Sequence, residues 1–420
     1  MGSLLCRNKK VEIVKKNQKV KVLIIHPEGN IKNNPNLYYF TKELVGNGFE
    51  VIVYSAYRPE IYQGDLFPGA SCIYYTSSHK KEIVTLLFLL KQNISFILGV
   101  DEGIIKAKKY ANILNTNYGF LSYEIFFDHE LAQLKNTYFS DLKEKSRAAC
   151  KDIKFAIVQD DVRKELLIRE YDISCQKIFL MPVAGSGCKA LEKTFYFHTK
   201  LNIPREKRVL LYMGWMNEEL LNRLFEYVSY LPKEWVLVIH SRYKYSKGII
   251  PNMNIANVYF SFDEPIENIE DINILLNGCD VGFCSYKPNN SSPYTGDNIK
   301  YIGLASGKTS TFLQHGIPVV VENMDMWEEI IFQTQIGLVL KSKDNLRNLD
   351  VLLEKRISEN CYSFFENYLD IKNYLEPIII EIKSCRVTFC SISKLMLFIL
   401  KHTYAIIRKA LLKKKNNVDL

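Results

Sequence analysis

Ser306-Gly307-Lys308-Thr309 carries the densest chemistry in this sequence. Small residues and one lysine open a helical pattern, Gly316-Ile317-Pro318 ends it, and Val319-Val320-Val321 reads as a buried strand. The first turn of a helix presents backbone N–H groups that have no intrahelical partner, at the positive end of the helix dipole. An ammonium group beside them adds a full charge. This combination suits a diphosphate, so the stretch predicts a nucleotide or a nucleotide-activated substrate.

Other polar groups fall at positions where chemistry is plausible. His26 closes the first apolar run, and Gly29 and Asn30 in the loop after it permit close approach of backbone to a ligand. His26 is therefore a candidate general base. Asp128, His129 and Glu130 follow a strand-and-loop pattern and form a candidate acid–base or acceptor-orienting group. Asp160 reads more simply as the cap of a helix starting at Asp161. Gly307-Lys308-Thr309 is no P-loop, because Ile302 stands where the template needs glycine and the preceding segment is a polar loop rather than a strand. Gly185-Ser186-Gly187-Cys188-Lys189-Ala190 nearly matches a dinucleotide fingerprint but lacks a βαβ setting and reads as linker.

The elements that must position these residues alternate between β and α patterns. Val20–Ile25 is a strand, Leu37–Val45 has helical spacing, and Phe49–Tyr54 is a second strand, which makes a βαβ unit. The alternation continues to Met181, loses its period between Val183 and Pro204, and restarts with the strand Arg208–Met213. At 420 residues two domains are the default. The expected fold is α/β, with two Rossmann-like doubly wound domains facing a cleft. Expected boundaries are a basic segment 1–19, an acceptor domain 20–198, a donor domain 199–375 and a basic amphipathic helical tail 376–420.

Ten cysteines are scattered with no CxxC spacing, so neither a zinc site nor a redox pair is indicated, and a reducing cytosol fits. Of the net charge of +9, the first 21 residues carry +6 and residues 383–420 carry +8, so the body between them is net negative. That distribution argues against a nucleic-acid groove. The run Leu395–Leu400 is far too short to span a bilayer, and Lys401, Arg408 and Lys409 follow it. A basic amphipathic helix on an anionic membrane surface is expected, which places the protein in the cytoplasm, peripheral to the inner membrane face.

The order of parts resembles the GT-B nucleotide-sugar glycosyltransferases, over residues 20–375. The resemblance rests on Val22–Asn30, Phe155–Asp160, Leu210–Gly214 and, most specifically, Gly303–Thr309 followed by Gly316-Ile317-Pro318-Val319-Val320. It is similar to the bacterial cell-surface polysaccharide enzymes. The resemblance implies that Ser306, Gly307, Lys308 and Thr309 face the donor diphosphate. His240, Ser241, Ser285 and Tyr286 end strands and are expected to line the donor pocket with Gly214 and Thr311, while the loops that hold Gly29, Asn30, Glu124 and Glu130 are expected on the acceptor side. The implied activity moves a hexose-type sugar from a nucleotide-diphosphate donor to a glycan or lipid-linked acceptor; no cofactor is expected, and no metal is needed if the helix start and Lys308 carry the phosphate charge. Thr311 and Gly303 occupy the positions of two glutamates usual in retaining members, and Gly214-Trp215-Met216-Asn217 lacks the usual arginine. A non-catalytic subunit of the same architecture is the alternative these departures leave.

Overall fold

The computed structural model describes residues 20–27, 31, 34–56, 67–75, 78–174, 177–190, 192–214, 218–241, 255–261, 269–322, 324–385 and 392–416. Two parallel sheets organise them. The first contains β1 (Lys21–His26), β2 (Glu50–Ala56), β3 (Ala70–Tyr75), β4 (Phe96–Val100), β5 (Asn117–Leu121), β6 (Ala156–Val158) and β7 (Ile178–Leu180), in the order β3-β2-β1-β4-β5-β6-β7. The second contains β8 (Arg208–Met213), β9 (Trp235–His240), β10 (Val258–Ser261), β11 (Val281–Ser285), β12 (Val319–Glu322) and β13 (Gly337–Val339), in the order β10-β9-β8-β11-β12-β13.

Helices cover both sheets. Those of the amino-terminal half are α1 (Pro35–Gly46), α2 (His79–Lys91), α3 (Gly103–Leu114), α4 (Asp128–Leu134), α5 (Thr137–Cys150) and α6 (Asp161–Tyr171). Then come α7 (Tyr196–Leu201), α8 (Glu218–Val228), α9 (Asn273–Asn277), α10 (Asp297–Lys300), α11 (Gly307–Gln314), α12 (Asp325–Thr334) and α13 (Lys355–Phe364). The chain ends with α14 (Lys372–Lys383) and α15 (Ile392–Asn416).

Strands covered on both faces must be apolar along their length, and Val22-Leu23-Ile24-Ile25 and Trp235–Ile239 are buried throughout. Local chemistry sets the element ends. Asn34 caps α1, its side chain accepting from the Leu37 amide, with Pro35 at the first helical position. Asp160 caps α6 through the Arg163 amide.

The strand orders matter most for function. In each sheet the chain winds outward in one direction, then reverses. The reversal falls between β1 and β4 in the first sheet and between β8 and β11 in the second. A crevice opens at the carboxyl ends of the strands at such a point, where ligands bind in open α/β sheets. His26 ends β1, while Gly214 directly follows β8 and Tyr286 directly follows β11.

After the second sheet the chain returns to the first. Helix α14 lies beside β7, where Glu381 pairs with Lys177 and the Lys154 ammonium donates to Ser384 Oγ at 2.6 Å. Helix α15 then packs on α2 and α3.

Candidate active site

Lys308 stands in the first turn of α11, at the reversal point of the second sheet. Its ammonium donates to Tyr212 Oη at 3.2 Å. It also lies 4.6 Å from the Tyr212 ring centre and 4.5 Å from that of Tyr286. The two tyrosines come from β8 and from the end of β11, so the sheet itself aims the lysine. Burial works against the charge, but the Tyr212, Tyr286 and Cys284 side chains raise the lysine above its ordinary pKa. It is cationic at neutral pH. Among the described residues no carboxylate pairs with it.

Backbone geometry supports the same point. Gly214 has φ +145°, and a Cβ there would lie 3.1 Å from Lys308 Nζ. Only glycine gives that backbone and leaves the lysine its place. The Gly214 N–H donates to the His240 carbonyl at 3.0 Å, joining the two strand ends. No side chain caps the first turn of α11. The fully buried Ser306 hydroxyl is 3.0 Å from Tyr286 Oη and 2.7 Å from Thr309 Oγ1, so Ser306 and Thr309 set the shape of the turn. The Thr311 hydroxyl donates to the Gly307 carbonyl at 2.7 Å, one helical turn back.

A second polar group lies along the same strand ends. Glu322, closing β12, accepts from the hydroxyls of Ser285 and Tyr227. Arg223 Nη2 donates to Ser285 Oγ at 2.8 Å, and Arg223 Nε lies 3.8 Å from the Glu322 carboxylate. Nε and Nη1 of that buried guanidinium have no hydrogen-bond partner among the described residues. His240 accompanies Ser261 at 3.3 Å, and burial lowers its pKa to about 4. Ser241 is fully buried beside it.

In the first sheet, His26 lines a pocket with Pro27, Asp101, Glu102, Glu124 and Tyr294. Tyr294 comes from the second half of the chain, and its hydroxyl donates to Glu102 at 3.2 Å. Burial lowers His26 to about 4, so its imidazole is neutral at physiological pH, and Nδ1 has no partner among the described residues. Asp101, at φ +44°, accepts from the amides of Tyr123 and Glu124 at 2.7 and 2.9 Å and shapes the Glu124 turn. Gly29 and Asn30 lie outside the described residues.

The candidates Asp128, His129 and Glu130 separate in space. Asp128 turns to α5 and pairs with Lys143 and Arg147, each at 2.7 Å; burial opposes its charge, but those cations hold it ionised. His129 and Glu130 instead meet Asp297 from α10. His129 Nε2 is 3.4 Å from the Asp297 carboxylate, and Glu130 Oε1 accepts from the Asp297 amide at 2.6 Å. His129, Glu130 and Asp297 bring one ligand-capable atom each within 4.8 Å of the others, the arrangement on the described surface best suited to a cation. Burial raises the Glu130 pKa.

That contact belongs to a continuous seam between the halves, formed by residues 293–305. Asn298 Nδ2 donates to the Ile125 carbonyl at 2.7 Å, and its Oδ1 accepts from the Ile125 amide at 2.9 Å. Arg163, buried, donates to the Tyr301 carbonyl at 3.1 Å. Asp160 Oδ2 accepts from the Leu304 amide at 3.0 Å, and the Leu304 carbonyl accepts from the Val183 amide at 2.9 Å. A Cβ on Gly303 would lie 2.3 Å from Asp160 Oδ2, and its φ is +43°. The Asp160 carboxylate therefore fills the space in which a larger residue 303 would have to stand. The seam runs directly into Ser306.

Tyr212, Arg223, Glu322 and Asn298 were not singled out from sequence. Glu322 was open to it, being the one charge that ends an otherwise apolar strand. Tyr212 and Asn298 carry no such mark, because their roles come from long-range contacts.

No protein-family model and no curated protein matches the amino-acid sequence. Solved structures do match over most of the chain. WaaG, a glycosyltransferase involved in lipopolysaccharide biosynthesis, is 14% identical, covers 87% of this chain and 100% of its own, and superposes with a TM-score of 0.58. HepE of Anabaena, solved in complex with UDP, is 11% identical over 87% of this chain and 100% of its own, with a TM-score of 0.59. A glycosyltransferase from Rickettsia africae is 14% identical over 88% and 100%, also at 0.59. With two parallel sheets that each reverse at a cleft-facing point, this chain has the GT-B fold that these glycosyltransferases share.

Proposed function

We propose that the protein transfers a sugar, of hexose type, from a nucleotide-diphosphate donor to a glycan or lipid-linked acceptor. One observation carries this reading: a cationic Lys308, unpaired by any described carboxylate, stands at the uncapped start of α11 on the cleft edge of the second sheet. The fold, and the UDP and UDP-glucose held by HepE, support the same class of donor.

In this reading the α11 amides and Lys308 bind the diphosphate. As the bond from the sugar carbon to phosphate oxygen breaks, its electron pair stays on the leaving diphosphate, where the ammonium stabilises it. The Arg223, Ser285 and Glu322 group offers polar partners for the rest of the donor. The acceptor hydroxyl attacks from the His26 side of the cleft and releases its proton to the groups that line that pocket, among them His26, Asp101, Glu102 and Glu124. No metal is needed to offset the leaving charge, since the lysine and the helix do so.

The test is thermal unfolding with UDP, GDP, ADP and CMP, followed by a transfer assay with the sugar form of whichever nucleotide stabilises the protein. Stabilisation that disappears in Lys308→Ala supports the donor site, and lack of stabilisation by every nucleotide would sink it. The engaged Thr311 hydroxyl and the blocked space at Gly303 favour a second reading, a subunit that binds nucleotide without turnover. Donor binding without release of free nucleotide diphosphate would select it.

A further inference from the structure

Helix α15 is apolar on two opposite sides. One side docks onto α2 and α3: Phe398 and His402 are buried and stacked, and Lys109 of α3 lies over the Phe398 ring at 4.6 Å. The other side carries Met396, Leu400, Tyr404 and Ile407, spaced at one turn and exposed by 60, 64, 68 and 52%. A surface helix needs only one apolar stripe to stay docked. Helix α2, packed beside it, repeats the pattern. Leu86 and Leu89 are buried, whereas Val84, Leu87 and Phe88 are exposed.

Exposed cations frame this surface. Lys80, Lys81 and Lys91 lie on α2, and Lys394, Lys401 and Arg408 on α15. The sequence of α15 contains no Asp or Glu, and the single acid of α2, Glu82, is buried and paired with Lys106 and Lys109. No described helix is long and apolar enough to cross a membrane. Exposed apolar side chains, exposed basic residues and no exposed carboxylate on either helix match the interface of an anionic bilayer.

We propose that α2 and α15 together form a platform that seats the amino-terminal half on an anionic membrane surface, with Met396, Leu400, Tyr404 and Phe88 entering the headgroup layer. The basic carboxyl-terminal tail is then one part of a two-helix face. The second helix belongs to the domain that carries the His26 pocket.

Flotation with phosphatidylcholine vesicles, with and without phosphatidylglycerol, tests this with the full chain. Binding should require phosphatidylglycerol and weaken as salt rises. It should fall about tenfold or more in L400E/Y404E, and also in F88E, which leaves α15 intact. These positions are exposed, so thermal unfolding should be unchanged. Absence of binding, binding indifferent to L400E/Y404E, or full binding by F88E would overturn the two-helix platform. A dimer seen by light scattering that L400E/Y404E splits would assign the surface to a second copy and overturn it as well. Vesicle binding is read without any transfer reaction, so its failure leaves the donor-site reading standing.

Discussion

Replacing Lys308 with methionine keeps most of the side-chain volume and removes the charge with its N–H donors. In the free protein the ammonium is held by one tyrosine hydroxyl and two ring faces, with no described carboxylate to offset its desolvation. Tyr212, Tyr286 and Cys284 favour the charged form in the folded protein, so removing the charge should lower the unfolding temperature of the free protein slightly. Nucleotide binding should fall much further. A hydrogen bond to a charged group contributes about 1.5–3 kcal/mol, which corresponds to a loss of affinity of roughly 10- to 150-fold. At a nucleotide concentration near 100 times the dissociation constant, the unmutated protein gains about 2.7 kcal/mol of stability. A loss of affinity of about 30-fold would leave roughly 0.9 kcal/mol of that gain. Calorimetric titration with UDP and with uridine separates the contributions, since uridine lacks the diphosphate and should bind both proteins alike. A lysine that merely supports the fold would behave differently: Lys308→Met would unfold several degrees earlier and keep its full response to UDP. That result would refute the assignment.

Gly214→Ala should weaken UDP binding and destabilise the fold by about 1–2 kcal/mol, since it forces a side chain into a left-handed backbone against Lys308; equilibrium denaturation and titration report both. Asn298→Ala leaves the Ile125 N–H and carbonyl without partners, so it should cost about 2–4 kcal/mol in urea unfolding. His26, His240 and His315 are buried, and burial lowers each to about 4. The unfolded chain takes up their protons near pH 6.5 while the folded chain does not. Stability should therefore be complete above that pH and fall towards pH 4, by about 2–3 kcal/mol per histidine; a flat unfolding profile over that window would contradict neutral burial. Transfer, once a donor is found, should persist in excess EDTA, and its loss would move the leaving-group charge from Lys308 to a cation.

The paired α/β halves and the α11 element were legible because their signals are local. An apolar run bounded by glycine reads as a buried parallel strand wherever it lies, and Ser306–Thr309 followed by Gly316-Ile317-Pro318 marks both ends of a helix. Helices α2 and α5 escaped the same reading for opposite reasons. Ile83–Leu90 is apolar almost without interruption, which hides any helical period. In α5 the buried residues are Lys143, Ser146, Ala149 and Cys150, so the inward side is not strongly apolar at all. Asp128, His129 and Glu130 are consecutive in sequence, yet a helix start sends Asp128 to Lys143 and the other two to Asp297. Neighbouring positions in a first turn point in different directions, and sequence adjacency there does not make a site.

Asp160 holds the start of its own helix with one oxygen and the Leu304 amide of the opposite lobe with the other. The stretch that this second contact anchors leads straight into Ser306 and the start of α11. Parting the lobes would pull on that helix start. On the donor-site reading proposed above, opening the cleft and releasing the nucleotide become a single movement, and a carboxyl-terminal lobe prepared alone would begin with the start of α11 untethered.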